Sequence, residues 1–424
     1  MTDPCGCGNH GGTRRDLLRW SAAAAGFAAL GPFRGVLPTA SGAPQNLKRL
    51  VVVNMFGGCD TLNMLIPVTL QPYYDRRPGI AIQPGDALGL GGPAQTTLYK
   101  MHPAMPRIAA LWYEGKVAAV NRVGYPQENL SHFTSMDIFS YGVRNSFGPL
   151  GIPPSGWIAR YADRNAPTPM GAVGLGVGRP LDFEGGATPP FLANDLPNFR
   201  IYNFQTPAEL HRLQKAKEIL ANFAGTGHAT DAKVSQSLAY DLADQIQTAL
   251  TAYSSPVVYG TSFISRRLRE VAVLIQGGFE TRVFYTGFGG FDTHGAQGTG
   301  TGAQANLFAA LDDAVGSLAD DLKDMGIWDD TVVVVLTEFG RRNFENGSAG
   351  TDHGHAFTEL VLGGAVKGGV YGPDLVNGDL TTDYASYAVD FRSIYREVLQ
   401  DHLSADPDPI FPEPLQKNVV VDLL

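Results

Sequence analysis

Cysteine is scarce in this chain, and its placement excludes a disulfide framework. Of the three residues, Cys5 and Cys7 stand near the start and Cys59 is alone in the remainder. One thiol cannot form an internal bridge, even in an oxidising compartment. Long apolar runs are also missing. The segment SAAAAGFAALGPF, residues 21–33, is too short and too weakly apolar to cross a bilayer. Basic charge is in deficit, with 32 Lys and Arg against 41 Asp and Glu and a formal net charge of −9. That balance argues against nucleic acid or an anionic membrane surface as a partner.

What is present is a soluble, globular composition over 424 residues, 44% of them hydrophobic, enough to bury a large core. The 51 glycines point to many loops and close backbone approaches. The first 43 residues read as an address. TRRDLLRW, residues 13–20, sets Arg14 and Arg15 before the weak apolar run, and Ser41, Gly42 and Ala43 offer small residues for cleavage. The pattern resembles a twin-arginine export signal, so the export machinery is an expected partner and the destination is periplasmic or extracellular. Removing residues 1–43 takes away four arginines and two aspartates and moves the net charge from −9 to −11.

Residues 44–424 read as a single α/β domain with an irregular and helical insertion at about 165–278. Apolar runs at 47–58, 116–124, 282–290, 332–336 and 358–366 read as strands buried on both faces, separated by helical patterns. A mostly parallel central sheet with helices on both faces follows.

Ligands of open α/β sheets bind beyond the carboxyl ends of the strands, and ionisable residues collect there. Asp60 follows the first strand, and Ser131 and His132 open a helix after the second. Asp292 and His294 follow the strand at 282–286, and Glu338, Arg341, Asp352, His353 and His355 follow VVVVL. Carboxylates gathered without compensation repel one another, and a bound dication resolves that. Mixed carboxylate and imidazole donors suit Zn, Mn or Fe, with Mg tolerated. Plainer duties compete at each position: Asp60 and Ser131 as helix caps, His132 as a helix residue, Asp352 in a turn, Glu338 and Arg341 as a structural bridge.

GGCDTLNMLIP, SHFTSMDIFSYG followed by GWIARY, FDTHGAQ and TEFGRRNFENGSAGTDHGHAFTELVLGGAVKGGVYG together resemble the bacterial family called domain of unknown function 1501, within the alkaline phosphatase-like, sulfatase-like superfamily. The resemblance implies an alkaline phosphatase-like fold and hydrolysis of phosphate or sulfate esters, an anionic small-molecule or polymer substrate, and two divalent ions, with Zn, Mn, Fe, Mg and Ca undistinguished. It implies Ser131 as nucleophile and Asp60, Asp292, His294, Glu338, Asp352, His353 and His355 as candidate ligands. Arg341 or Arg342 would clamp substrate oxygens. Glu338–Phe339 departs from the superfamily's Asp-His, and the spacing of Asp292 to His294 is short. Neither CDTLN nor SHFTS fits the oxidised-cysteine sulfatase motif, so sulfate is the weaker substrate. The alternative is an exported binding or surface protein with a degraded site.

Overall fold

The computed structural model describes residues 46–143, 155–200, 206–417 and 421–424. The expected export segment, with Arg14, Arg15, Cys5 and Cys7, lies outside the described residues. Among the latter, the strands are β1 (Arg49–Phe56), β2 (Leu65–Ile66), β3 (Leu88–Leu90), β4 (Thr96–Met101), β5 (Val117–Gly124), β6 (Ala172–Leu175), β7 (Phe191–Ala193), β8 (Val283–Gly289), β9 (Thr331–Leu336), β10 (Phe357–Gly363), β11 (Gly369–Tyr371) and β12 (Val389–Asp390). Nine of them form one sheet in the order β11-β5-β10-β9-β1-β8-β6-β7, with β12 beside β5; β2, β4 and β3 form a small second sheet.

The fold is α/β with a mostly parallel, mixed central sheet. β1 pairs in parallel with β8 and β9, while β10 runs antiparallel between β9 and β5. The reversal has a simple origin. No crossover helix separates β9 from β10, only the loop 337–356, so the chain comes straight back.

Strand side chains alternate between two apolar layers. Val51, Val53 and Met55 of β1 face the layer built by helices α1 (Pro106–Tyr113), α2 (Phe263–Gln276) and α3 (Ala303–Asp324). Leu50 and Val52 face the layer of Trp157, Ile158, Phe391, Ile394 and Tyr395. Each such aliphatic contributes about 1.5–3 kcal/mol relative to exposure. Covering on both faces explains why β1 and β9 read as near-continuous apolar runs.

The segment expected to be an insertion at 165–278 carries more of the sheet than its sequence suggests. β6 and β7 extend the central sheet beyond β8, and α2 packs in the core. Strands of three or four residues among Gly and Pro leave little periodic signal. Helices Pro207–Asn222 and His228–Ala252 supply the expected helical pattern.

Because β1, β8, β9 and β5 share one direction, their carboxyl ends meet at one edge of the sheet. The start of antiparallel β10 lies there too. Every chemically suggestive loop therefore opens on the same edge.

Candidate metal centre

The β1 end is shaped by glycine. Gly57 has φ +123°, and a Cβ there would lie 2.5 Å from the backbone nitrogen of Asp292. Gly58 has φ +67°, and a Cβ would run into the Phe339 ring. Close approach therefore requires glycine at both positions, and it brings the loops after β1, β8 and β9 into contact.

Three imidazoles and a carboxylate converge at this edge. His132, the first residue of the helix His132–Tyr141, sets Nε2 3.1 Å from Nε2 of His353. His294 Nε2 lies 3.0 Å from the same atom. Asp292 Oδ1 lies 3.1 Å from His294 Nε2 and 3.2 Å from His353 Nε2, and its Oδ2 lies 3.6 Å from His132 Nε2. Candidate donor atoms of His132, Asp292 and His353 all fall within 4.8 Å of one another, and His294 joins from the His353 and Asp292 side.

The other ring nitrogens face acceptors. His132 Nδ1 is 2.7 Å from Glu338 Oε1, His294 Nδ1 is 3.1 Å from Asp352 Oδ1, and His353 Nδ1 is 2.8 Å from the Leu130 carbonyl oxygen. A carbonyl only accepts, so His353 carries its proton on Nδ1 and presents a lone pair at Nε2. As acceptors at Nδ1, Glu338 and Asp352 impose the same tautomer on His132 and His294. Nε2 of His132 and Nε2 of His294 then each lie about 3 Å from Nε2 of His353, beside the Asp292 carboxylate, an arrangement a cation relieves. Metal-binding histidines are held in this way by an acceptor on the far nitrogen. Bonds of about 2.0–2.1 Å to a tetrahedral ion place donors roughly 3.3 Å apart, close to the separations observed.

Partial burial pushes the Asp292 carboxyl up, but the hydrogen bond and charge of Arg341, then His294 and His353, hold it below its usual value. The Asn346 and His294 hydrogen bonds lower Asp352. Burial lowers His353 toward its neutral form, whereas the bond to Glu338 raises His132. Side-chain exposures of 45% for Asp292 and 46% for His294, against 27% for His132 and 23% for His353, show the cluster open to solvent on one side.

The expected ligands thus separate. Asp292, His294 and His353 are brought together. Glu338 and Asp352 hold imidazoles from behind, and Glu338 Oε1 also accepts from the Gly57 N–H at 2.9 Å. His355 lies elsewhere, buried, with Nε2 2.9 Å from the Tyr125 carbonyl oxygen. Asp60 is buried against Arg77, its Oδ2 2.7 Å from Nη1. Arg341 is not poised as a substrate clamp. Its fully buried guanidinium donates to the carbonyls of Gly57, Gly58, Thr351 and Phe291 and to Asp292 Oδ1. It fixes loop ends and orients Asp292.

His132 is the residue sequence reasoning passed over as a ligand. Its signal was its place directly after the N-cap Ser131, at the end of the loop following β5. Phe339, where the resemblance called for an imidazole, packs its ring 4.7 Å from His132 and 4.9 Å from His353. Ser131 is exposed, and its side chain makes no capping hydrogen bond.

Fold and cluster together define an α/β protein with an imidazole–carboxylate site at the carboxyl edge of its sheet. The chain belongs to the family described as Protein of unknown function (DUF1501), matched over residues 205–417. Comparison with curated proteins gave no match. Solved structures similar to it include a protein in the alkaline phosphatase superfamily from Vibrio parahaemolyticus, at 11% identity and TM-score 0.35, covering 95% of this chain and 79% of that one. The PsFucS1 sulfatase from Pseudoalteromonas sp. is similar at 10% identity and TM-score 0.33, covering 92% and 72%. The lipoteichoic acid synthase LtaP from Listeria monocytogenes is similar at 11% identity and TM-score 0.31, covering 83% and 74%.

Proposed function

We propose that this chain is an exported, metal-dependent hydrolase of phosphate esters, with sulfate esters the less favoured substrate. The carrying observation is the convergence of three imidazole Nε2 atoms on Asp292, each ring held from behind by an acceptor. His132, His294, His353 and Asp292 would hold the ion. A donor set dominated by imidazole favours Zn, Mn or Fe over Mg or Ca, which prefer all-oxygen surroundings. When bound, the ion supplies a Lewis acid that draws charge from a non-bridging ester oxygen.

The chain's own groups supply the rest. Ser131 adjoins both Leu130, whose carbonyl fixes His353, and His132. It stands at the N-terminus of a ten-residue helix whose first-turn N–H groups favour an anion. Its hydroxyl, free of capping duty, is the proposed nucleophile. Attack forms an Oγ–phosphorus bond and breaks the bond to the alcohol, and water then releases phosphate from the seryl ester. Arg341 is a positioning residue in this reading.

One observation favours a second reading, a binding protein with a retired site: Phe339 occupies the position where the resemblance called for another imidazole. The test is metal content and ester cleavage measured on the same preparation. A transition metal with turnover of a phosphomonoester or diester supports the hydrolase. Metal without cleavage of any phosphate or sulfate ester supports the binder, and absence of metal binding removes the basis for both.

A further inference from the structure

We infer that the centre is built for one ion per chain, because Arg77 stands as a permanent internal cation beside Asp60, where a second ion would need that carboxylate. The inference rests on the metal-centre reading above.

Asp60 follows β1 and is 1% exposed. Its Oδ2 accepts from Arg77 Nη1 at 2.7 Å and from Gln297 Nε2 at 2.7 Å. Its backbone oxygen accepts from Gln304 Nε2 at 3.1 Å. The side chains that bond to Asp60 are all donors; Oδ1, buried and without a hydrogen-bond partner, belongs to the same carboxylate that the Arg77 guanidinium neutralises. Arg77 is fully buried and well satisfied. Besides Asp60 it donates to Asn63 Oδ1 at 3.2 Å, the Asn343 carbonyl at 3.0 Å and the Arg342 carbonyl at 2.8 Å. A dication bound at Asp60 would confront this guanidinium within contact distance, and like charges that close in a buried setting repel strongly. Among the described residues, the group of three or more His, Cys, Asp or Glu that could hold an ion is the one at His132, Asp292 and His353.

The ion pair has a use of its own. Gln297, fixed by Asp60, accepts through Oε1 from Thr293 Oγ1 and Thr351 Oγ1, both at 2.9 Å. Thr293 separates Asp292 from His294, and Thr351 precedes Asp352 and His353. Arg77, Asp60 and Gln297 thus form a buried strut that holds together the two loops carrying the ligands. Asp60 is accordingly a positioning residue rather than a ligand.

The test is stoichiometry on the full chain after metal removal, titrated with Zn(II) and separately with Mn(II) by calorimetry and checked by elemental analysis. Wild type should bind one equivalent, and His353→Ala should bind none tightly. Asp60→Asn would strand the Arg77 charge, so the paired change Asp60→Asn with Arg77→Gln is the more informative variant. It should still bind one equivalent, with affinity lowered through the loosened loops. Two equivalents in wild type, one of them lost in the paired variant, would overturn the inference while leaving the metal-centre reading intact. No binding by wild type would overturn both.

Discussion

The Leu130 carbonyl oxygen lies 2.8 Å from His353 Nδ1, joining the loop after β5 to the loop before β10. A backbone acceptor cannot change its role, so this contact fixes the tautomer of His353 whatever the neighbouring carboxylates do. Nε2 is left as a lone pair aimed at Asp292 and two other imidazoles. The centre thus takes its character from backbone topology as much as from the ligands themselves.

Glu338 is expected to act through His132. Glu338→Ala should weaken metal affinity about 10–100-fold, the usual effect of losing an acceptor behind a ligand. Chelator competition measures it. Affinity equal to wild type would mean that His132 is not held for metal by Glu338.

Ser131 carries the proposed chemistry. Ser131→Ala should lower turnover by several orders of magnitude with metal content unchanged. It makes no capping bond, so its loss should cost less than about 1 kcal/mol in chemical denaturation. Turnover near wild type would move the nucleophile elsewhere, to Thr61, Thr134 or a water.

Acid stability tests a group far from the centre. Burial lowers His402 to about 4, and its Nε2 lies 3.0 Å from the Arg49 carbonyl oxygen. With the folded value below the unfolded value near 6.5, the unfolded chain binds more protons between those limits. His402 therefore makes stability fall as pH drops from about 6.5 toward 4, by up to about 1.4 kcal/mol per pH unit. Unfolding free energies of wild type and His402→Gln across that window should differ by this slope. Parallel curves would show that His402 is not held neutral by the fold.

The proposed export rests on TRRDLLRW. Replacing Arg14 and Arg15 by Lys should retain the precursor in the cytoplasm, because a receptor reads the pair. Fractionation showing the double variant still exported and processed would refute the twin-arginine reading.

Much of the scaffold was legible in the chain. VVVNMF and VVVVL announce strands covered on both faces, and the polar residues after them announce a site at the sheet edge. The antiparallel turn of β10 was not legible, because an apolar run carries no direction. It is this turn that brings His353 back to His132, which is why His132 read as an ordinary helix residue. Asp60 read as a ligand because its partner Arg77, 17 residues away, reaches it only through the folding of an irregular loop. His355 shared the local pattern of His353, but the Tyr125 carbonyl claims its ring.

X-ray absorption spectroscopy of the metal-loaded chain tests the centre most directly. It should show only nitrogen and oxygen donors, at about 2.0–2.2 Å for Zn, with outer-shell scattering from three imidazoles that falls when His132, His294 or His353 is replaced by Ala. A spectrum without imidazole scattering, or one unchanged by those three substitutions, would contradict the account.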